Sequence, residues 1–155
     1  MITIRTNIKD VVHRLGNKIA ALKDKDQLMR SLAVQMTGEM RYRIHVDGED
    51  AAGNQIGTYS PKYLRLRQKK FNRTADTKII LSLTSQMEND MAPIETPNGY
   101  GIGFNNIANL EKAGYAEDRA GGTDSENKIY ALSIAEQTKV GLLSQEGVAQ
   151  IFAND

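Results

Sequence analysis

Basic residues are concentrated in one short stretch of this chain. Lys62, Arg65, Lys69 and Arg73 recur every three or four residues, and the segment 62–73 has six basic residues and no acidic one. On an α-helix this spacing places the four side chains along one narrow arc. Such an arc fits a solvated face without a partner. Because ammonium and guanidinium groups bind carboxylates and phosphates, the alternatives are contact with an acidic neighbouring subunit or with DNA.

Residues suited to catalysis or metal binding are few. The chain has two histidines and no cysteine; His13 falls in a helical pattern, and His45 opens the acidic run 45–50. That run departs from a calcium loop, because Ala51 and Ala52 stand where a ligand and the obligatory glycine are needed. P-loop, nucleophile-elbow and zinc-ligand spacings are not found in the sequence. We therefore predict no enzyme, no catalytic residue, no metal and no cofactor.

The glycine-rich pattern GYGIGF indicates a β-hairpin rather than a nucleotide site. Gly99, Gly101 and Gly103 alternate with larger residues inside a strand pattern, and a turn is predicted at Pro97, Asn98 and Gly99. A dinucleotide fingerprint needs its glycines between a strand and a helix. The segment 92–104 is therefore predicted to be a hairpin.

Composition limits the class of protein. A chain of 155 residues, 40% hydrophobic and 25% charged, fits one domain, 1–155, with a single core. Its 20 basic and 19 acidic residues nearly cancel, so an electrostatic partner must meet a local patch. The lack of cysteine fits a reducing cytoplasm. No apolar run approaches the roughly 18 residues that span a bilayer, so no membrane contact is expected.

Two helices are predicted before the basic stretch. Apolar residues recur at three- and four-residue spacing from Ile8 to Leu22 and again from Met29 to Ile44. Together with the hairpin they predict an α+β fold, in which two N-terminal amphipathic helices pack on a small, mainly antiparallel β-sheet. A further strand or helix and a terminal helix are expected after residue 128.

Two glycine-bearing polar segments separate these elements. The segment 45–60 is longer than loops usually are without a purpose, which makes it a candidate binding element. Its main apolar side chains are Ile56 and Tyr59, which we predict to be interface residues together with the basic arc. The segment 116–128 is predicted to be mobile.

The basic stretch has a clear helix start. Ser60 can cap free N–H groups, and Pro61 fits the first turn, where its missing N–H is not needed. Leu64 and Phe71 project to the side opposite the basic arc. The helix is therefore predicted to pack through its apolar side and to expose its cations.

The order of these signals resembles the phage virion morphogenesis proteins, also called tail-completion or head-tail joining proteins. In that family a glycine-bearing loop ends at an aromatic residue followed by Ser or Pro, and a Lys/Arg-rich helix begins there. After this helix come a turn of the type Leu-x-x-Thr-Gly-x-Leu, a short helix and a strand that ends in Ile-Gly. The matching residues are Gly53, Gly57, Tyr59, Ser60, Pro61 and 62–70, then Leu81, Leu83, Thr84 and Met87, then Ile102 and Gly103.

The chain departs from the family pattern at two places. Ser85 stands where glycine is usual. The family's Tyr-Ala-x-x-His-x-x-Gly is represented by Ile107, Ala108, Glu111 and Gly114, so its aromatic and histidine are missing. The resemblance covers about residues 40–115, with a weaker echo in the C-terminal segment.

The resemblance implies a structural protein of the phage virion. Such a chain would form a homo-oligomeric ring in the neck, hexameric rather than dodecameric, or complete the tail, after assembly in the bacterial cytoplasm. Its partners would be portal, connector or tail proteins, with DNA in the channel as a further contact. The alternative is a nucleic-acid-binding accessory protein that uses the basic helix 62–73.

Overall fold

The chain has an α+β fold, in which the described residues form several helices and one two-stranded antiparallel sheet. The computed structural model describes residues 12–13, 15–17, 26–73, 76–120 and 128–153. Its elements are α1 (Asp26–Tyr42), a π-helical turn (Arg43–Asp47), α2 (Pro61–Phe71), α3 (Gln86–Asp90), β1 (Met91–Thr96), β2 (Gly99–Phe104), α4 (Ile107–Ala120) and α5 (Ile134–Ala153).

The second predicted helix is confirmed as α1. Its apolar stripe is buried at Leu32, Ala33, Met36 and Met40 and packs against the hairpin and α5. Of the first predicted helix, residues 12–13 and 15–17 are helical, and the remainder lies outside the described residues.

The hairpin is confirmed, with a two-residue turn. Pro97 and Asn98 connect strands whose register pairs Thr96 with Gly99. Gly103 lies so close to the opposite strand that an added Cβ would be 3.0 Å from Ile94 Cγ1. Glycine at this position therefore permits a close cross-strand contact.

A π-helical turn extends α1 past the predicted helix end. Gly48 terminates it with φ of 69° and donates its N–H to the Arg43 carbonyl. An added Cβ on Gly48 would lie 2.5 Å from the Ile79 carbonyl oxygen, so both the backbone angle and the space require glycine. The predicted loop at 45–60 thus becomes irregular only after Asp47.

Arg43 joins this turn to the C-terminal half of the chain. It is 8% exposed and donates five hydrogen bonds, two of them to the Glu136 carboxylate. The other three go to the backbone carbonyls of Glu49, Ile129 and Ala131. Glu136 also accepts the Ser133 N–H at the start of α5. We refer to this set as the Arg43 hub.

The apolar core lies between α1, the hairpin and the segment before α5. Met40, Ile44, Met91 and Ile129 form its fully buried centre. Half-buried side chains from the loop, the segment before α3, the hairpin, α4 and the segment before α5 pack around them: Ile56, Leu81, Ile102, Phe104, Ala116, Tyr130 and Leu132.

The segment 48–60 is fastened to the domain by its backbone. Glu49 pairs with Gln55, and Thr58 pairs with Lys78 in isolated bridges. The Ala51 N–H donates to the Lys128 carbonyl. These bonds hold Ile56 and Tyr59, the two predicted interface residues of this loop, in defined positions.

The segment 116–128, which is predicted to be mobile, begins with the last five residues of α4. The Glu117 carboxylate accepts the N–H groups of Ile129 and Tyr130 at 2.9 and 2.8 Å, and so ties the helix to the chain that returns after it. Residues 121–127 lie outside the described part. Among the described helices, none is long and apolar enough to cross a bilayer.

Candidate interface around helix α2

Helix α2 begins where the sequence predicts. Ser60 has φ of −63° and ψ of 149°, and its hydroxyl accepts the Tyr63 N–H, while Pro61 fills the first turn. The helix ends at Phe71, because Asn72 adopts a left-handed conformation with φ of 49° and donates its N–H to the Arg67 carbonyl. The basic residues 62–70 therefore lie on one short, well-capped helix.

Three of the four predicted cations share an exposed surface. Lys62, Arg65 and Lys69 are exposed and surround Leu66, which is 46% exposed, in a shallow depression. We call Lys62, Arg65, Leu66 and Lys69 the cationic face. An apolar centre with a charged rim is the usual composition of a protein interface.

Arg73 does not belong to this arc, contrary to the prediction. Its guanidinium donates to the Leu83 carbonyl at 2.9 Å and to the Ser85 hydroxyl at 2.8 Å. The helical projection fails because the left-handed Asn72 redirects the chain before Arg73. Arg73 instead fixes the turn that precedes α3.

Arg67 is the most buried cation of α2, at 2% exposure. Its guanidinium lies 4.4 Å from the centroid of the Tyr59 ring, in a cation–π contact. It also donates to the Tyr59 hydroxyl at 3.2 Å and to the Ser82 carbonyl at 2.9 Å.

The charge of Arg67 has no carboxylate partner within the described part of the chain. Its Nε is buried and donates to no described acceptor. Buried charges in proteins are normally paired, since removing them from water is costly. Arg67 is thus a buried cation that is solvated by an aromatic ring and two neutral oxygens.

Tyr59 organises the surroundings of Arg67. Its hydroxyl oxygen accepts hydrogen bonds from the Arg67 guanidinium and from the Ile80 N–H. The centroid of its ring lies 5.2 Å from the centroid of the Tyr63 ring. Burial raises the pKa of Tyr59, although the nearby Arg67 charge acts in the opposite direction. The phenol therefore stays neutral at physiological pH and leaves the Arg67 charge uncompensated.

A groove of about 520 Å³ opens beside Arg67, between the loop, α2 and α4. Arg67 lies at its floor, while Lys112, Tyr115 and Arg119 project from α4 at its rim, with Tyr115 68% exposed. Aliphatic and aromatic side chains line the remainder, including Ile56, Tyr59, Tyr63, Ile79, Leu81 and Leu83. No acidic residue of the described chain lines it. We call this the α2–α4 groove.

The predicted interface residues fall into two adjoining sets. Ile56 and Tyr59 line the α2–α4 groove, and the cationic face lies on the outward side of the same helix. Ser60 and Tyr63 border both concavities. The two predicted sets are therefore parts of one continuous surface.

Three cations of the groove were missed by the sequence analysis. Arg67 falls between Leu64 and Phe71 on the apolar side of α2, and a basic residue on an apolar stripe is the signal that could have found it. Lys112 and Arg119 lie two helical turns apart on α4, but the prediction of a mobile segment from 116 onward hid this spacing.

The acidic run around His45 forms a folded turn. Asp50 is buried, and its carboxylate accepts the N–H groups of Ala52 and Asn54. The His45 Nδ1 lies 3.1 Å from the Ile80 carbonyl and 4.0 Å from the Glu88 carboxylate. In the described part of the chain, His, Asp and Glu side chains are not clustered in a set that could hold a metal ion.

Comparisons of the chain with protein-family models, with curated proteins and with solved structures found no match.

Proposed function

We propose that this chain is a structural subunit of a phage neck or tail-completion assembly, in which copies join head to tail into a closed ring. Such a protein works through surfaces, because each copy must present one surface to the next around the rotation axis. The observation that carries the proposal is the continuous surface around α2, which combines an exposed cationic face with an apolar, cation-bearing groove.

The turn before α3 supports the proposed family. Ser85 occupies the position at which the family usually has glycine, and it has φ of 58°. This left-handed conformation is one that glycine adopts without strain. The local backbone is thus the one that the family's glycine would favour, with a serine in its place and the Arg73 guanidinium on its hydroxyl.

The composition of the α2 surface suits a subunit contact. Leu66 and the groove side chains offer apolar area, and the surrounding Lys62, Arg65 and Lys69 can orient an acidic neighbour. Charge complementarity at an interface fixes its register and disfavours wrong partners. Portal, connector or tail proteins and the next copy of the chain are the proposed partners.

In the alternative function, the basic helix binds nucleic acid. The structure leaves fewer exposed basic side chains for this binding than the sequence suggests. Of the six basic residues between 62 and 73, Arg67 and Arg73 make internal contacts. The number of phosphates that can be neutralised is correspondingly smaller. Measuring DNA affinity against salt concentration tests this alternative, because phosphate contacts give a steep loss of affinity with salt.

The cationic face provides the test of the proposed function. We expect the variant Lys62→Glu/Arg65→Glu/Lys69→Glu to fold normally, since exposed substitutions change the free energy of unfolding by no more than about 0.5 kcal/mol. Its incorporation into assembled particles should be lost, because like charges would then oppose docking. Thermal unfolding and the amount of the chain in purified particles are the two measurements.

A charge-preserving variant serves as the control. Lys62→Arg/Arg65→Lys/Lys69→Arg keeps the charge of the cationic face and should be incorporated normally. Normal incorporation of the charge-reversed variant would contradict a role for this face in assembly.

A further inference from the structure

We propose that the α2–α4 groove receives a carboxylate side chain, flanked by an apolar one, from an acidic segment of a neighbouring protein subunit. This inference rests on the proposed function, because it names the chemistry of the partner that the α2 surface would hold.

Arg67 supplies the first reason. It is a guanidinium at 2% exposure on the floor of an open groove, with an orphaned Nε and no carboxylate partner among the described residues. A charge in such a poorly solvated position attracts an anion more strongly than an exposed charge does. The incoming carboxylate would supply the counter-charge that the described chain does not.

The rim of the groove supplies the second reason. Lys112 and Arg119 are exposed on the same side of α4, so they can guide an anion toward Arg67. Lys112 is held near the groove by the side chains of Gln86 and Asn109, each 3.3 Å from its Nζ. Three cations and no described acid give the groove one sign of charge, which favours an acidic occupant.

The apolar lining distinguishes a protein segment from a phosphate backbone. Ile56, Ile79, Leu81 and Leu83 contribute no polar side-chain atoms, and Tyr115 is exposed at the rim. A peptide that alternates acidic and apolar side chains can cover this surface while its carboxylates reach the cations. A nucleic acid strand would leave the aliphatic part uncovered.

Calorimetry with defined peptides tests the proposal. The probes are the acetylated, amidated peptides EELEEL and QQLQQL, which differ only in charge. We expect EELEEL to bind at least tenfold more tightly. The variant Lys112→Glu/Arg119→Glu should lower that affinity at least tenfold, whereas Arg30→Glu/Lys128→Glu, which changes the charge equally at exposed positions away from the groove, should change it less than twofold.

Several results would overturn the proposal. One is equal affinity for EELEEL and QQLQQL, and another is no binding at millimolar peptide concentration. A third is the same loss of EELEEL affinity in Lys112→Glu/Arg119→Glu and in Arg30→Glu/Lys128→Glu. A 12-nucleotide single-stranded oligonucleotide is the comparison probe. If it binds more tightly than EELEEL, and if the variant Lys112→Glu/Arg119→Glu loses this binding, the groove is assigned to nucleic acid instead. If the chain forms a ring but does not bind EELEEL, only the proposal for the groove is contradicted. If the chain binds EELEEL but does not form a ring, only the proposed function is contradicted.

Discussion

Two buried arginines in this chain have opposite surroundings. Arg43 donates five hydrogen bonds and pairs with the buried Glu136 carboxylate. Arg67 is more buried than Arg43, yet it has an aromatic ring and two neutral oxygens in place of a carboxylate. Burial by itself therefore does not decide whether the charge of an arginine is paired within the fold.

The difference lies in what the surrounding segments require. In the Arg43 hub, the guanidinium donates hydrogen bonds to backbone carbonyls of segments that are far apart in sequence. These hydrogen bonds hold the fold together and leave no donor for a partner. The α2–α4 groove borders solvent, and a further anion can be added there without breaking a described ion pair. We expect mutations of the two regions to separate stability from assembly.

The largest effect is expected at the Arg43 hub. Arg43→Met should lower the free energy of unfolding by about 3–5 kcal/mol, because it leaves the Glu136 charge buried and unpaired. Chemical denaturation measures this loss. The double variant Arg43→Met/Glu136→Met should be less destabilised than the single one, and a loss below about 1 kcal/mol in Arg43→Met would show that the hub is not structural.

A smaller loss is expected from the turn that carries the hub. Gly48→Ala should cost roughly 1–3 kcal/mol, since alanine is strained at a φ of 69° and its Cβ would meet the Ile79 carbonyl. Gly38→Ala, in the open part of α1, is the matched control and should instead stabilise the chain by about 0.5–1 kcal/mol. Equal denaturation midpoints for the two variants would contradict the role of Gly48.

Arg67→Met sharpens the contrast between the two arginines. We expect a loss of about 1–2 kcal/mol, mainly because the Ser82 carbonyl loses its donor. The variant removes a buried charge without leaving a described carboxylate unpaired, so the loss should be smaller than that for Arg43→Met. Parallel denaturation curves test this difference, and equal losses would remove the distinction.

The smallest effect is a pH dependence centred on His45, a buried residue of the π-helical turn. Burial lowers the pKa of His45 below its usual 6.5, against the raising effects of the Ile80 carbonyl and Glu88, while the Arg41 charge lowers it further. The unfolded chain therefore binds a proton more readily. Stability should be complete above pH 6.5 and fall as the pH drops below that value.

Thermal unfolding between pH 7.5 and 5.5 measures this dependence. Its matched variant is His45→Gln, which should show a flatter profile because the titrating group is gone. A profile of the same slope in both proteins would show that another group causes the loss.

The sequence predicted those parts of the fold that depend on local pattern. Apolar spacing identified α1, Ser60 and Pro61 identified the start of α2, and Pro97 with Asn98 identified the hairpin turn. In each case neighbouring residues carry the physical reason, so no knowledge of distant contacts was required.

The missed features depend on distant contacts or on backbone turns. Arg43 meets Glu136 across 93 positions of sequence, which no local pattern reveals. Arg73 was placed on the basic arc because the left-handed Asn72 was not anticipated. Arg67 carried a readable signal on the apolar side of α2, but the prediction singled out only the four cations of the basic arc.

Native mass measurement of the assembled complex tests the central proposal most directly. We expect a closed ring, with six copies in preference to twelve, and we expect the Lys62→Glu/Arg65→Glu/Lys69→Glu variant to remain a folded single subunit. A single copy or a two-fold dimer of the wild-type chain in the complex would contradict the proposed ring.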